Sequence, residues 1–316
     1  MTFGFDKVLV TGGAGFIGSH LTSALLAEGC SVSVLDNLST GRLSNLAKVK
    51  NKILFHQGDI RDPEIVNQAA AGCGAIFHLA AMVSVPQTIE NPLESALIND
   101  VGTLYVLEAA RRTRAKRVVF ISSSAVYGDD PQLPKKEDMN PKPLSPYAVQ
   151  KLSGEYYALL YHELYGIKTT SLRLFNVFGS RQDPSSPYSG VISIFMSRAL
   201  SKTPPSIYGD GTQSRDFVYV KDVVKASLLA ASADNVAGIS INVGSGKSVD
   251  INQLWEMICQ MNGLEIEPQY AAPRPGDIPA SVADIQRAES LLGFKPQYLF
   301  AQGLEHTFAW YKNNRQ

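Results

Sequence analysis

Residues 7–18 read KVLVTGGAGFIG, and no other stretch narrows the possible folds as far. Val8, Leu9 and Val10 form a short apolar, β-rich run, a glycine-dense turn follows, and a helical pattern starts at Phe16 and continues to about Glu28. Within the turn Gly12, Gly15 and Gly18 stand three apart, with Gly13 as an extra. Each has a physical reason: a left-handed turn, backbone approach to a pyrophosphate without a Cβ, and close packing of helix on strand. The helix would then turn its positive end and its first N–H groups, those of Phe16 and Ile17, towards an anion.

The next strand pattern, Ser31 to Leu35, ends in Asp36, 24 residues past Gly12. A carboxylate at that spacing accepts hydrogen bonds from an adenosine ribose and repels a 2′-phosphate, so the cofactor expected is NAD rather than NADP. Asn37 opens a polar loop, NLSTGRLSNL, placed to line the adenosine. A third strand, Ile53 to His56, runs into Gly58, Asp59 and Ile60, and Asp59 at its carboxyl end is a candidate adenine contact. Ala75 to Leu79 is the fourth strand; Ala80 and Ala81 after it let a cofactor lie close to the backbone. His78 reads as a core histidine.

Pro92 to Arg112 reads as one long helix, with Leu97, Ile98, Val101, Leu104 and Leu107 spaced for a single buried face and Asn99 interrupting it. The strand Arg117 to Ile121 follows and ends in Ser122, Ser123 and Ser124. This alternation predicts an α/β fold, a Rossmann-type doubly wound parallel sheet with right-handed crossovers.

A second constellation is SPYAVQK at 145–151. Serine then proline starts a helix, with Ser145 as N-cap and Pro146 in the first helical position. Tyr147 then falls in the first turn and Lys151 beside it on the same face. A phenol near pKa 10 is a poor base at neutral pH. The ammonium, the helix's positive end and a cationic nicotinamide would all favour phenolate; bringing the pKa to about 7 requires roughly 4 kcal/mol.

The bulk numbers exclude whole classes. At 316 residues and 45% apolar content the chain buries a large core. Lys plus Arg equals Asp plus Glu at 29 each, so no net field recruits nucleic acid or an anionic membrane. No charged-then-apolar leader or membrane-length apolar run occurs, and a cytoplasmic protein is expected. Cys30, Cys73 and Cys259 lie far apart, and the histidines lack ligand spacing, so neither disulfides nor a metal are expected.

Taken together these residues resemble the extended short-chain dehydrogenase/reductases, and among them the nucleotide-sugar 4-epimerases. The resemblance spans essentially the whole chain. It rests on TGGAGFIG at 11–18, Asp36, GDI at 58–60, HLAA at 78–81, SSSAVYG at 122–128, YAVQK at 147–151, LRLFNVFG at 172–179, YGDGTQSRDFVYV at 208–220 and RPGD at 274–277. It implies Ser123, Tyr147 and Lys151 as the catalytic set. Cofactor contacts would come from Gly12, Gly15, Phe16, Ile17, Gly18, Asp36, Asn37, Asp59, Ile60, Leu79, Ala80, Ala81, Asn99, Tyr147 and Lys151. Substrate contacts would come from Ser84, Ser123, Ser124, Asn176, Val191, Tyr208, Arg215, Arg274, Asp277 and Ser281. The two arginines would grip phosphates, which suits their forked donors, and Asp277 the uridine ribose.

By the same resemblance residues 1–170 form the NAD-binding domain, with segments near 218–243 returning to it. Residues 171–316 mainly form a smaller α/β nucleotide-sugar domain. The helices at 92–112 and 146–165 would pair with their copies in a homodimeric four-helix bundle, the second through Tyr156, Leu159, Leu160 and Leu164.

The implied reaction is NAD-dependent 4-epimerisation of a UDP-sugar. Ser124 and Ala125 stand where dehydratases carry an acidic pair, which speaks against dehydration. Ser281, five residues beyond the RPGD glycine, resembles a gate that admits an N-acetyl group when small; Gly190 points the same way. Val83, where strongly N-acetyl-preferring relatives have glycine, leaves room for both sugars. The reading preferred is UDP-N-acetylglucosamine/UDP-N-acetylgalactosamine, with UDP-glucose/UDP-galactose as the alternative. A UDP-glucuronate decarboxylase or a non-catalytic NAD-binding sensor stays open behind them.

Overall fold

A computed structural model describes residues 4–183, 190–273 and 278–314. Seven strands make the central sheet: β1 (Lys7–Thr11), β2 (Ser31–Asp36), β3 (Ile53–Gln57), β4 (Ala75–His78), β5 (Arg117–Ser123), β6 (Lys168–Leu174) and β7 (Ile239–Val243). Their spatial order is β7-β6-β5-β4-β1-β2-β3, and every pairing is parallel. The expected fold class holds. Register runs straight across the middle, with Val8 opposite both Val32 and Ala75, and Ala75 opposite Arg117.

Strands buried on both faces alternate between two cores. Val8 and Val10 point to the face covered by the helices Phe16–Ala27 and Val220–Ser232, whereas Leu9 points to the face covered by Pro63–Ala70 and Gly102–Thr113. The chain leaves β1 for β2 and β3 on one side and returns to β4 on the other. A crevice therefore opens at the carboxyl ends of β1 and β4, where doubly wound sheets bind ligands.

The stretch from 92 to 113 differs from expectation. It consists of Pro92–Ala96, a π turn Leu97–Val101, and Gly102–Thr113. A π turn inserts one residue and rotates everything after it by about 100°. From the π turn onward the buried side chains are consequently Asn99, Thr103, Val106, Leu107, Ala109 and Ala110, while Leu97 is 51% exposed. Of the five apolar positions read as one buried face, only Leu107 is fully buried.

Beyond β6 the chain builds a third core from Phe178, Phe195, Phe217, Trp255, Leu304 and Tyr311. It also crosses back. Phe217–Tyr219 pairs with Asn176–Phe178, Val220–Ser232 covers the sheet, and β7 closes its edge. A further return lies outside the segments expected to come back: Ala288, Leu292 and Phe294 join the core under Val220–Ser232. Among the described residues no helix is long and apolar enough to cross a membrane.

Candidate active site

The glycine turn lies at the crevice because β1 ends there. Gly12 has φ +69°, and a Cβ on it would stand 2.9 Å from the Ala80 nitrogen, so the turn rests directly on the backbone after β4. Gly18 is tighter still, its notional Cβ 2.1 Å from the Gly12 carbonyl oxygen. Gly15 is the N-cap of Phe16–Ala27 and no side chain caps that helix. The turn thus offers a side-chain-free cradle and uncapped N–H groups at Phe16 and Ile17, the donor set a diphosphate requires.

Asp36 is buried, with Oδ2 accepting from the Ala14 N–H at 2.9 Å and Oδ1 from Leu38 N–H at 2.8 Å. The carboxylate therefore ties the turn to the end of β2, and its remaining lone pairs are what a ribose diol could use. Gly41 allows this placement, since a Cβ there would meet Asp36 Oδ1 at 2.7 Å. Asn37 Nδ2 donates to Asp59 Oδ2 at 2.8 Å, so these two lie together. Arg61 grips the same carboxylate through Nε and Nη2, both at 2.9 Å, and holds its pKa down at about 2. Ile60 beside it is buried.

His78 is a core histidine, as read. Its Nδ1 is 2.8 Å from Thr11 Oγ1 and its Nε2 3.0 Å from Thr103 Oγ1, and burial drives its pKa down to about 3. Thr11 Oγ1 also accepts from the Leu79 and Ala80 N–H groups, which fixes the backbone leading to Ala81. Asn99 has a full set of protein partners. Its Oδ1 accepts from Met82 N–H at 2.8 Å, and its Nδ2 donates to Met82 O and Gln150 Oε1 at 3.0 and 2.7 Å. The π turn aims it there, latching the loop after β4 to the helix Pro146–Tyr165.

That helix starts as expected, with Ser145 Oγ accepting from Ala148 N–H at 3.2 Å. Tyr147 is hydrogen-bonded to Ser123, whose Oγ also accepts from Ala125 N–H at 3.1 Å, with Ser124 next in the chain. Lys151 is 4% exposed; its Nζ donates to Ile121 O at 2.8 Å and lies 5.8 Å from the Tyr147 ring centre. The three catalytic candidates are thus in one place. Burial works against the phenolate expected from the ammonium, the helix end and a cationic nicotinamide. Burial pushes the phenol up, with the Ser123 hydrogen bond acting against it, and the same burial pulls Lys151 down to about 8. Desolvation disfavours both charged forms.

On the other side of the crevice, Asn176 N–H donates to Asp216 O at 3.0 Å, Arg215 precedes Asp216, and Ser281 N–H donates to Ser214 O at 3.1 Å. Asn176, Arg215 and Ser281 therefore sit on adjacent backbone runs, with Asn176 exposed and Ser281 buried. Asp216 is the residue the sequence reading missed here. Its buried carboxylate accepts from the N–H groups of Ser245, Gly246 and Ala283 at 2.7, 3.0 and 3.0 Å, knitting three segments together. An acid in SRDF directly before the apolar run FVYV was the available signal.

Tyr208 lies on the wall of a cavity of about 860 Å³ shared with Gly209, Thr212, Gln213 and Tyr270, and its carbonyl accepts from Gln213 Nε2 at 2.7 Å. Ser84 caps the short helix Val85–Glu90, accepting from Gln87 N–H at 3.3 Å, and Val83 before it is exposed. Val191 opens the helix Val191–Ser201, capped by Gly190. Arg274 and Asp277 lie outside the described residues.

A UDP-glucose 4-epimerase of Mycolicibacterium smegmatis is 40% identical over 98% of this chain and 100% of its own length. The solved UDP-N-acetylglucosamine 4-epimerase of Methanobrevibacter ruminantium, in complex with UDP-N-acetylmuramic acid, superposes with a TM-score of 0.93 at 42% identity, covering 98% of each chain. The UDP-glucose 4-epimerase of Thermotoga maritima with UDP-glucose gives 0.94 at 37%, covering 98% of this chain and 100% of that one. The model of the NAD dependent epimerase/dehydratase family matches residues 8–244, the span from β1 to the end of β7 that carries the glycine turn and the Ser123–Tyr147–Lys151 cluster, and the chain belongs to that family.

Proposed function

We propose that this protein is a UDP-sugar 4-epimerase, with UDP-N-acetylglucosamine and UDP-N-acetylgalactosamine as its preferred pair. The observation that carries the reaction type is the grouping of Ser123, Tyr147 and Lys151 at the carboxyl end of β5, two strands from the end of β1 that carries the glycine turn. The glycine turn and Asp36 would hold NAD, which would supply a reversible hydride acceptor for C4 of the sugar. Tyr147 is the group that takes the proton of the 4-hydroxyl, with Ser123 hydrogen-bonded to the same oxygen. Lys151 holds the nicotinamide ribose, and its charge favours the phenolate. Asn176, Arg215 and the RPGD segment hold the nucleotide while the 4-keto sugar turns its other face, so net redox change is zero.

The N-acetyl preference is supported by small side chains: Ser281 at the gate and Gly190 before Val191. Exposed Val83 is the feature that keeps UDP-glucose as the alternative. The relatives include enzymes named for either sugar. The purified protein is incubated with UDP-N-acetylglucosamine and, separately, UDP-glucose, and the 4-epimers are followed by chromatography. Faster conversion of the N-acetyl sugar supports the reading; conversion of UDP-glucose alone refutes the gate assignment, and no conversion of either refutes the reaction.

We also propose a homodimer through the segment 92–113 and the helix Pro146–Tyr165. Leu93, Leu97, Tyr156, Leu160 and Leu164 lie exposed on these two elements rather than packed on the sheet. A second copy would cover them.

A further inference from the structure

Tyr147, Lys151 and Glu155 stand four residues apart on the helix Pro146–Tyr165, so they leave it on one face at successive turns. The third lies under the catalytic set. Glu155 and Arg173 form an ion pair whose side chains are 5% and 6% exposed, with Arg173 Nη2 donating to Oε2 at 2.8 Å and Nε to Oε1 at 3.0 Å. Ser122 Oγ, one residue before Ser123, donates to Oε1, and Ser240 Oγ to Oε2 at 2.9 Å. Arg173 Nη1 also donates to the Tyr127 hydroxyl at 3.0 Å, which donates in turn to Asn242 Oδ1 at 2.6 Å. One carboxylate thus ties the catalytic helix to β5, β6 and β7.

A buried ion pair adds little stability over a well-packed apolar pair, because both charges lose their hydration. Its placement one turn below a catalytic ammonium calls for another account. We propose that Glu155 is a positioning residue: it keeps the Lys151 ammonium charged in a water-poor site and, through Ser122, fixes the strand end that presents Ser123. Arg173 holds the carboxylate in place for both tasks. This rests on the epimerase reading.

The groups around Lys151 support the electrostatic part. From its own helix come Tyr147 and Glu155; from β4 comes His78, which burial and Lys151 keep neutral; from β5 come the Phe120 ring, 5.0 Å from Nζ, and the Ile121 carbonyl. Arg173 on β6 faces Glu155. Within this set Glu155 is the carboxylate that raises the pKa of Lys151 against burial.

The test uses the full-length protein with Glu155→Gln. The pH profile of kcat/KM for UDP-sugar epimerisation is recorded, and the Lys151 ammonium is titrated by NMR of 13C-labelled lysine, assigned with Lys151→Arg. The alkaline limb and the Lys151 titration are both expected to move down by about one pH unit or more. Glu155→Asp, which keeps the charge, should restore most of the shift; a role in packing alone predicts no rescue. Should Glu155→Gln not fold, Glu155→Gln with Arg173→Met removes both charges, and the titration should still lie below that of the wild type, since the nearer charge dominates. A Lys151 titration that stays in place in a folded variant overturns the inference. A wild-type protein that epimerises nothing while Lys151 still shifts overturns the epimerase reading alone.

Discussion

Replacing Gly18 by alanine tests the glycine turn as a built cofactor cradle. The added Cβ would stand 2.1 Å from Gly12 O and 2.9 Å from Gly13 Cα, whereas ordinary contacts begin at 3.4 Å. The start of the helix Phe16–Ala27 must therefore move off the turn by roughly 1 Å, which costs about 1–3 kcal/mol of overpacking. The larger consequence is for NAD. That shift misaligns N–H donors facing a diphosphate, and losing one hydrogen bond to a charged group costs about 1.5–3 kcal/mol, equal to about a tenfold to hundredfold rise in Kd. Calorimetric NAD titration and thermal unfolding read the two effects separately. Gly29→Ala is the control: φ there is +87° but nothing lies within 4 Å, so only backbone strain is added and NAD affinity should not change. A Gly18→Ala protein that binds NAD within twofold of the wild type would refute the reasoning.

Three other outcomes follow from the same geometry. Tyr147→Phe removes the hydroxyl bonded to Ser123 and should lower kcat for epimerisation by about 10²–10⁴-fold with NAD affinity retained, read by chromatography and calorimetry; retained turnover would sink the mechanism. Ser281→Tyr places a bulky side chain at a buried position and should depress conversion of UDP-N-acetylglucosamine far more than that of UDP-glucose, a ratio that would stay unchanged if the gate lies elsewhere. His78 is held neutral in the folded state with its pKa near 3 against an ordinary 6.5, so the unfolded chain binds the extra proton as pH falls. Stability is intact above about pH 6.5 and is lost below it, by about 2 kcal/mol between pH 7 and 5; His78→Gln should flatten the corresponding fall in Tm, and an equal fall in both proteins would assign the loss to other groups.

Local rules carried the sequence reading as far as residues within a few positions of each other decide the geometry. The glycine spacing, Asp36 at the end of β2, the Ser145 cap and the Tyr147–Lys151 step of four all depend on turn and helix geometry that a short stretch specifies. Strand alternation likewise gave the parallel sheet and its crevice. The long helix at 92–112 shows where this stops. Its apolar spacing was sound for an α-helix, but the π turn rotated the buried face, and what fixes that turn is Asn99 reaching Met82 and Gln150, the latter 51 residues away.

Tertiary structure decided the electrostatics. Glu155 meets Arg173 and Ser240, and Asp216 meets Ser245, Gly246 and Ala283, through segments that only the strand order and the crossings back to the sheet bring together. The sequence identified Tyr147 and Lys151 and placed them side by side. Which way their pKa values move depended on how much water the fold removes from both, a property of the enclosing strands and helices that no spacing along the chain encodes.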